Sequence, residues 1–149
     1  MIVVGLDANI LLRLVHAESA EHVICQSGVR ALAELGAELV IAAQVAVEFW
    51  VVATRPAEVN GMGWQPSFAR TKLDQILARV RVLPEPPEAF FGWLELVTSK
   101  AVLGKRGHDA RIASTLSANG VRHLLTLNIA DFSTFPDLTL LHPARPILL

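Results

Sequence analysis

The chain has 149 residues, of which 52% are hydrophobic, and a formal net charge of −1 at pH 7. This length and composition predict one folded domain over residues 1–149 with a buried core, and they exclude an intrinsically disordered chain. The near-neutral charge argues against the broad basic surface of a general nucleic-acid coat protein, although it does not exclude an enzyme that contacts a few phosphates.

The predicted elements alternate between strands and helices. In the first half we predict strands at about 2–6 and 39–42, helices at about 8–16, 18–35 and 43–54, and a long surface loop at 55–66. In the second half we predict helices at 66–80, 86–103 and 108–120, and strands at 81–85, 123–127 and 138–143. This alternation predicts an α/β fold with a mostly parallel sheet that helices cover on both faces.

The sequence also bears on the compartment. Cys25 is the only cysteine, so no internal disulfide can form and a reducing, cytoplasmic compartment is expected. The apolar N-terminus lacks the basic residues of a signal peptide. The most apolar stretch, residues 39–53, is too short to span a bilayer and contains Gln44 and Glu48. We therefore expect no membrane association.

Acidic and amide side chains follow the predicted strands, at the edge where open α/β sheets bind ligands. Asp7 comes directly after the first strand, and Asn128 and Asp131 follow the strand at 123–127. Glu48 and Asp109 lie near the starts of two helices. We expect the acids from these four separate segments to meet at one end of the sheet.

Taken singly, three of these acids also have a purely structural interpretation. Asp7 and Asp109 are candidates for helix capping or for stabilising a helix dipole, and Asp131 for a turn. Glu48 lies in a helix with little polar surface, where an unpaired buried carboxylate costs roughly several kcal/mol. Carboxylates at close range repel one another, and a divalent cation relieves that repulsion. An oxygen-only ligand set suits Mg²⁺ or Mn²⁺ rather than zinc.

Four segments carry a family resemblance. They are GLDANILLRL at 5–14, AVEFW at 46–50, GKRGHDARIAS at 104–114 and LLTLNIADFSTFPDLTLLHP at 124–143. In order and spacing they resemble the signature blocks of the PIN-domain family, and most of all those of the VapC-like toxins of prokaryotic toxin–antitoxin pairs. The resemblance implies a Rossmann-like, three-layer α/β/α sandwich and a metal-dependent, single-strand ribonuclease.

The resemblance also assigns roles to the acids. By position, Asp7, Glu48 and Asp109 match the three core acids of the family. The fourth position falls on Asn128 or Asp131, both of which correspond to places near the metal. The implied catalytic residues are therefore Asp7, Glu48, Asp109 and Asp131, and the same acids with Asn128 form the implied Mg²⁺ or Mn²⁺ site.

Other residues are candidates for supporting roles. Asn9 and Thr126 match family positions that often assist the acids. Trp64 and Trp93 are candidates for stacking on bases, but packing is the favoured interpretation for aromatic residues in apolar surroundings. Four basic residues are candidates for neutralising substrate phosphates, each with a surface or ion-pair role as the alternative: Arg13, Lys105, Arg106 and Arg111.

The resemblance further implies an RNA substrate, for which a structured RNA such as tRNA is a candidate, a cognate antitoxin protein and a homodimer. Two alternatives stay open. A non-catalytic interaction module of the same fold would lose metal-binding acids. A phosphoryl-transfer enzyme of an unrelated α/β family commonly needs a second acid two residues after the first, and this chain has Asn9 at that place.

Overall fold

The computed structural model describes residues 1–149 and contains five strands, seven α-helices and one short 3-10 helix. The strands are β1 (Val3–Leu6), β2 (Glu38–Ile41), β3 (Arg81–Val82), β4 (His123–Leu125) and β5 (Thr139–Leu141). The α-helices are α1 (Ala8–Leu14), α2 (His22–Glu34), α3 (Ala43–Thr54), α4 (Pro66–Leu77), α5 (Pro87–Ser99), α6 (Arg106–Ala118) and α7 (Ile129–Phe132). None of the helices is both long and apolar enough to cross a lipid bilayer.

The five strands form one sheet in the order β3-β2-β1-β4-β5, and every neighbouring pair is parallel. β1 is central, with β2 on one side and β4 on the other, so the order of the chain through the sheet reverses between β1 and β4. In open α/β sheets, ligands bind beyond the carboxyl ends of the strands at such a switch point.

Helices cover both faces of the sheet. Val4, Gly5 and Leu6 are consecutive residues of β1 and all are buried, as are Leu124 and Leu125 of β4. Successive side chains of a strand point to opposite faces, so burial of consecutive residues requires cover on both sides. The predicted α/β/α sandwich with a parallel sheet is confirmed.

A side chain of α6 occupies the space over Gly5 of β1. A Cβ atom on Gly5 would lie 2.8 Å from Leu116 Cδ2 of α6, which is closer than non-bonded carbon atoms approach each other. Leu116 is itself buried in the core. The missing side chain at Gly5 therefore leaves room for Leu116 against the central strand.

The elements follow the predicted ones, apart from ends that shift by up to three residues and four larger differences. The helix predicted at 86–103 ends at Ser99, because the chain turns at Ala101, which has a φ of 50°. The second helix begins at His22 rather than at 18, because residues 16–22 form turns closed by Ser19 N–H to His16 O and His22 N–H to Ser19 O. The predicted loop at 55–66 contains a 3-10 helix, Ala57–Val59. α7 lies where a turn is predicted, since a four-residue helix is a single turn and shows no helical periodicity.

We expect Gly5→Val to lower the free energy of unfolding by about 1–3 kcal/mol, because the added methyl groups overlap Leu116 in a packed core. Urea denaturation measures this change. The control is Gly92→Ala in α5, whose Cβ would meet Ser114 Cβ at 3.9 Å, an ordinary contact. This control should keep or raise stability, since alanine favours helix over glycine. Equal effects of the two substitutions would contradict the close packing of α6 on β1.

Candidate active site

Asp7 is held at the carboxyl end of the central strand. Its backbone N–H donates to Leu125 O of β4 at 3.0 Å, and its Oδ1 accepts from the N–H of Ala8, the first residue of α1, at 2.8 Å. The residue is only 7% exposed. Burial is the main reason that the pKa of Asp7 is raised above its usual value, although hydrogen bonds from Thr126 and Ala8 partly oppose that shift.

Two polar side chains orient the Asp7 carboxylate. The hydroxyl of buried Thr126, just after β4, donates to Asp7 Oδ2 at 2.7 Å and accepts from the N–H of Asn128 at 3.0 Å. The Asn9 carboxamide donates to the same Oδ2 at 3.2 Å and accepts from the N–H of Leu127 at 3.3 Å. These bonds fasten the end of β1 to the end of β4 through the carboxylate.

Glu48 is an acid whose carboxylate has a buried oxygen without a hydrogen-bond partner. The residue lies in α3, and the oxygen is Oε2. Burial in the first place, and then the negative charges of Asp7 and Asp109, raise the pKa of Glu48 to about 7. A buried carboxylate oxygen of this kind is stabilised only by a proton or by a nearby cation.

Asp109, in the first turn of α6, joins the same group. Burial in the first place, and then the charges of Asp131 and Asp7, raise its pKa to about 6, while Arg106 and Lys105 oppose the shift. Asp131 also raises the pKa of Asp7. The acids from the four segments therefore lie within electrostatic reach of one another.

The arrangement fits a hard divalent cation better than a soft one. The groups that converge carry oxygen ligands, and Glu48 Oε2 is a buried acceptor without a donor. No three histidine, cysteine, aspartate or glutamate side chains lie close enough together to hold one ion jointly. Mg²⁺ commonly keeps several waters and takes only one or two carboxylates, so an open acidic pocket of this kind suits it.

Some of the remaining predicted site residues lie near the acids, whereas others form bonds elsewhere in the protein. Asn128 is exposed at the start of α7, and Lys105 and Arg106 lie beside Asp109. Arg106 Nη2 also donates to the backbone oxygen of Asp131 at 2.7 Å, so this side chain links the start of α6 to α7.

The other two basic candidates form bonds inside the protein. Arg13 Nε lies 3.1 Å from Glu21 Oε1. Arg111 donates through Nη1 to Gln44 and through Nη2 to Glu85, both at 2.8 Å. The ion-pair alternative therefore describes both arginines in this structure.

Both candidate tryptophans make packing contacts. The Trp64 ring meets Phe68 edge to face, with the ring centroids 4.9 Å apart. Trp93 Nε1 donates to the carbonyl of Gly107 at 2.9 Å and so ties α5 to the first turn of α6. Buried Gln44 accepts a hydrogen bond from Arg111, a role that the sequence did not predict. A polar residue one turn before Glu48 in an otherwise apolar helix could have indicated it.

Comparison with known proteins identifies the class of fold. A family model described as the PIN domain matches residues 4–135. The chain therefore belongs to the PIN-domain family, as the four sequence blocks predicted. A comparison with curated protein sequences finds no match.

Solved structures of toxin–antitoxin proteins have a similar fold. VapBC2 from Rickettsia felis, solved bound to a DNA fragment from its promoter, is 21% identical, with 95% of this chain and 98% of that chain covered and a TM-score of 0.72. DNA-bound VapBC from Salmonella typhimurium is 17% identical, with 96% and 99% covered and a TM-score of 0.68. VapC20 from Mycobacterium tuberculosis, a toxin that cleaves the sarcin–ricin loop, is 17% identical, with 81% and 86% covered and a TM-score of 0.57. At these identities the similarity establishes the fold.

The raised pKa values predict how pH affects stability in the absence of metal. As pH rises, the unfolded chain releases the Glu48 proton near its ordinary value of 4.5, whereas the folded chain keeps it until about 7. The stabilising contribution of this proton is therefore complete below 4.5 and is lost as pH rises through about 7. Asp109 and Asp7 act in the same direction.

We expect Glu48→Gln to become increasingly more stable than the wild type as the pH rises from about 5 to about 8, because glutamine carries no charge. Urea denaturation in the presence of EDTA measures the difference. Asp74→Asn, on an exposed ion pair of α4, is the control and should show no such trend. A stability difference between Glu48→Gln and wild type that does not change with pH would contradict the burial of Glu48 among like charges.

Proposed function

We propose that this protein is a metal-dependent endoribonuclease that cleaves RNA phosphodiester bonds and acts as the toxin of a toxin–antitoxin pair. One observation carries the proposal: Oε2 of the partly buried Glu48 carboxylate has neither solvent nor a hydrogen-bond partner, and two other acids raise the pKa of this residue. An uncompensated buried charge destabilises a folded protein, so packing alone does not account for acidic side chains gathered in this way.

In this proposal Asp7, Glu48, Asp109, Asp131 and Asn128 would share one or two Mg²⁺ or Mn²⁺ ions. Because no three of the acids lie close enough to hold one ion jointly, water molecules would complete the coordination of each ion. When bound, the cation lowers the pKa of a water molecule and stabilises the charge that develops on the phosphate. The Asp7 carboxylate has a fixed orientation, because Thr126 and Asn9 both donate hydrogen bonds to its Oδ2.

The chain's other residues position the substrate. Lys105 and Arg106 lie beside Asp109, where they are placed to neutralise phosphates of the RNA backbone. Arg106 also bonds the Asp131 backbone, so it holds the α6 and α7 segments of the site together. The net charge of −1 means that such local contacts, rather than the overall field of the protein, attract the RNA.

The partners in this proposal follow from the similar structures. Two of these are VapBC assemblies bound to DNA, which supports a cognate antitoxin for this chain. VapC20 cleaves the sarcin–ricin loop, and this supports a structured RNA as the substrate class, with tRNA among the candidates. A homodimer is part of the proposal. The family match speaks against a phosphoryl-transfer enzyme of an unrelated α/β family.

The direct test is cleavage of labelled total RNA with Mg²⁺ or Mn²⁺. We expect Asp7→Asn, Glu48→Gln and Asp109→Asn to lower the cleavage rate at least about 100-fold, since metal-ion catalysis contributes several kcal/mol. EDTA should abolish cleavage by the wild type. Asp74→Asn, which removes an exposed carboxylate paired with Arg70 on α4, is the matched control and should cleave normally. Cleavage that survives chelation or all three substitutions would refute the mechanism.

A metal titration separates the nuclease from a non-catalytic module of the same fold. Because a ligand that binds only the folded state stabilises it by mass action, Mg²⁺ or Mn²⁺ at 100 times its Kd should add about 2.7 kcal/mol. The gain should appear as a higher Tm of the wild type near neutral pH, and Glu48→Gln should reduce it. A Tm that does not respond to either cation would favour the interaction module.

A further inference from the structure

A second cleft lies beside the acidic site, on a different side of α6. It is a cavity of about 300 Å³ lined by Glu85, Ala89, Phe90, Trp93, Arg111 and Thr115. Two positions separate Asp109 from Arg111, which is about 200° around a helix. The first turns of α6 therefore turn one side toward the acids and another toward this cavity.

The cavity contains a buried hydroxyl group without a partner. Thr115 is 0% exposed, and its Oγ1 makes no hydrogen bond. A threonine within a helix usually satisfies its hydroxyl on the backbone one turn earlier, as Thr98 does with Leu94 O at 2.8 Å. Leaving this donor and acceptor unpaired is unfavourable. Thr115 lines the cavity but has no exposed surface, so its hydroxyl pairs with a ligand only where the cavity wall moves to admit one.

An ion pair adds fixed polar groups to the same cavity. Arg111 Nη2 lies 2.8 Å from Glu85 Oε2, and both side chains are partly exposed. Buried Gln44 holds the other end of the guanidinium through a 2.8 Å bond. The cavity therefore offers donors and an acceptor whose positions are set before any ligand arrives.

Two aromatic rings complete the lining. The ring centroids of Phe90 and Trp93 are 6.0 Å apart, with the rings inclined at 34°. The Trp93 ring is oriented by its bond to Gly107 O, two residues before Asp109. Phe90 is 57% exposed, so part of its ring is accessible to a ligand in the cavity.

We propose that this cavity binds one nucleobase of the RNA substrate. The inference rests on the proposed nuclease function and adds a base-recognition subsite to it. Proteins that bind single-stranded RNA stack bases on aromatic side chains and read their edges by hydrogen bonds. Phe90 and Trp93 supply the stacking surface here, and Thr115, Arg111 and Glu85 supply the polar groups that distinguish one base from another.

The binding test uses the whole chain and does not require cleavage. The chain has three tryptophans, so its ¹⁵N spectrum has three indole N–H signals, and Trp93→Phe identifies the signal of Trp93. We titrate AMP, GMP, CMP, UMP and ribose 5-phosphate in the presence of EDTA, so that no cation at the acidic site binds the phosphate. We expect the nucleotides to shift the Trp93 signal with unequal affinities, and ribose 5-phosphate to leave it unchanged.

Two variants and a matched control locate the binding. Phe90→Ala should weaken nucleotide binding about tenfold through lost stacking. Thr115→Val should weaken the preferred nucleotide about 3- to 10-fold without lowering Tm, since the lost hydroxyl has no partner in the protein. Phe91→Ala removes a neighbouring ring that is 65% exposed and does not line the cavity, so binding should persist.

The outcomes distinguish this subsite from the nuclease itself. A Trp93 shift that ribose 5-phosphate reproduces, or that Phe90→Ala and Phe91→Ala weaken equally, would overturn the base subsite. If the wild type cleaves RNA but Thr115→Val leaves the pattern of cleaved sites unchanged, the subsite is wrong and the nuclease stands. If base-dependent binding occurs without any cleavage, the nuclease is wrong and the cavity remains a nucleotide site.

Discussion

The buried carboxylate of Asp7, at the junction of β1 and β4, is the constraint on which the site depends. Bonds from Ala8, Asn9 and Thr126 fix its orientation, so the charge cannot move away from the other acids that face it. Burial is the largest cause of the raised pKa values of Glu48 and Asp109, and the negative charge of Asp7 raises both further, because like charges interact more strongly away from solvent. The folded chain therefore keeps these carboxylates close enough to repel one another, and protonation or a bound cation reduces that repulsion.

Helix α6 contributes residues both to the acidic site and to the proposed base subsite. Gly5 leaves room for the Leu116 side chain of this helix against the central strand, and Trp93 holds the first turn of the helix through the Gly107 carbonyl. The same helix carries Asp109 toward the acids and Thr115 toward the neighbouring cavity. A displacement of α6 would therefore disturb both the reaction site and the proposed base subsite. Because the protein has almost no net charge, the proposed recognition of RNA depends more on these local contacts than on the overall electrostatic field.

The similar structures establish a fold, and the activity has to be argued from the site. At 21% identity or less, what this chain and the VapBC structures have in common is the arrangement of layers, which many different sequences can form with apolar strands and amphipathic helices. The functional argument rests instead on Glu48, whose buried oxygen has no partner within the chain. The cavity beside Arg111 is formed by this chain's own side chains, and in our proposal it separates base recognition from the cleavage chemistry.

The sequence by itself determined the sheet, most helices and the acids at its edge, because each depends on local pattern. Apolar runs mark buried strands, and the residue after a strand stands at the ligand-binding edge whatever surrounds it. Only the tertiary structure decided the one-turn helix α7, the ion pairs of Arg13 and Arg111, and the unpaired hydroxyl of Thr115. The partners of these side chains come from other segments or are absent. Hydrogen bonding and burial depend on distances between segments, which no pattern along a single stretch of chain records.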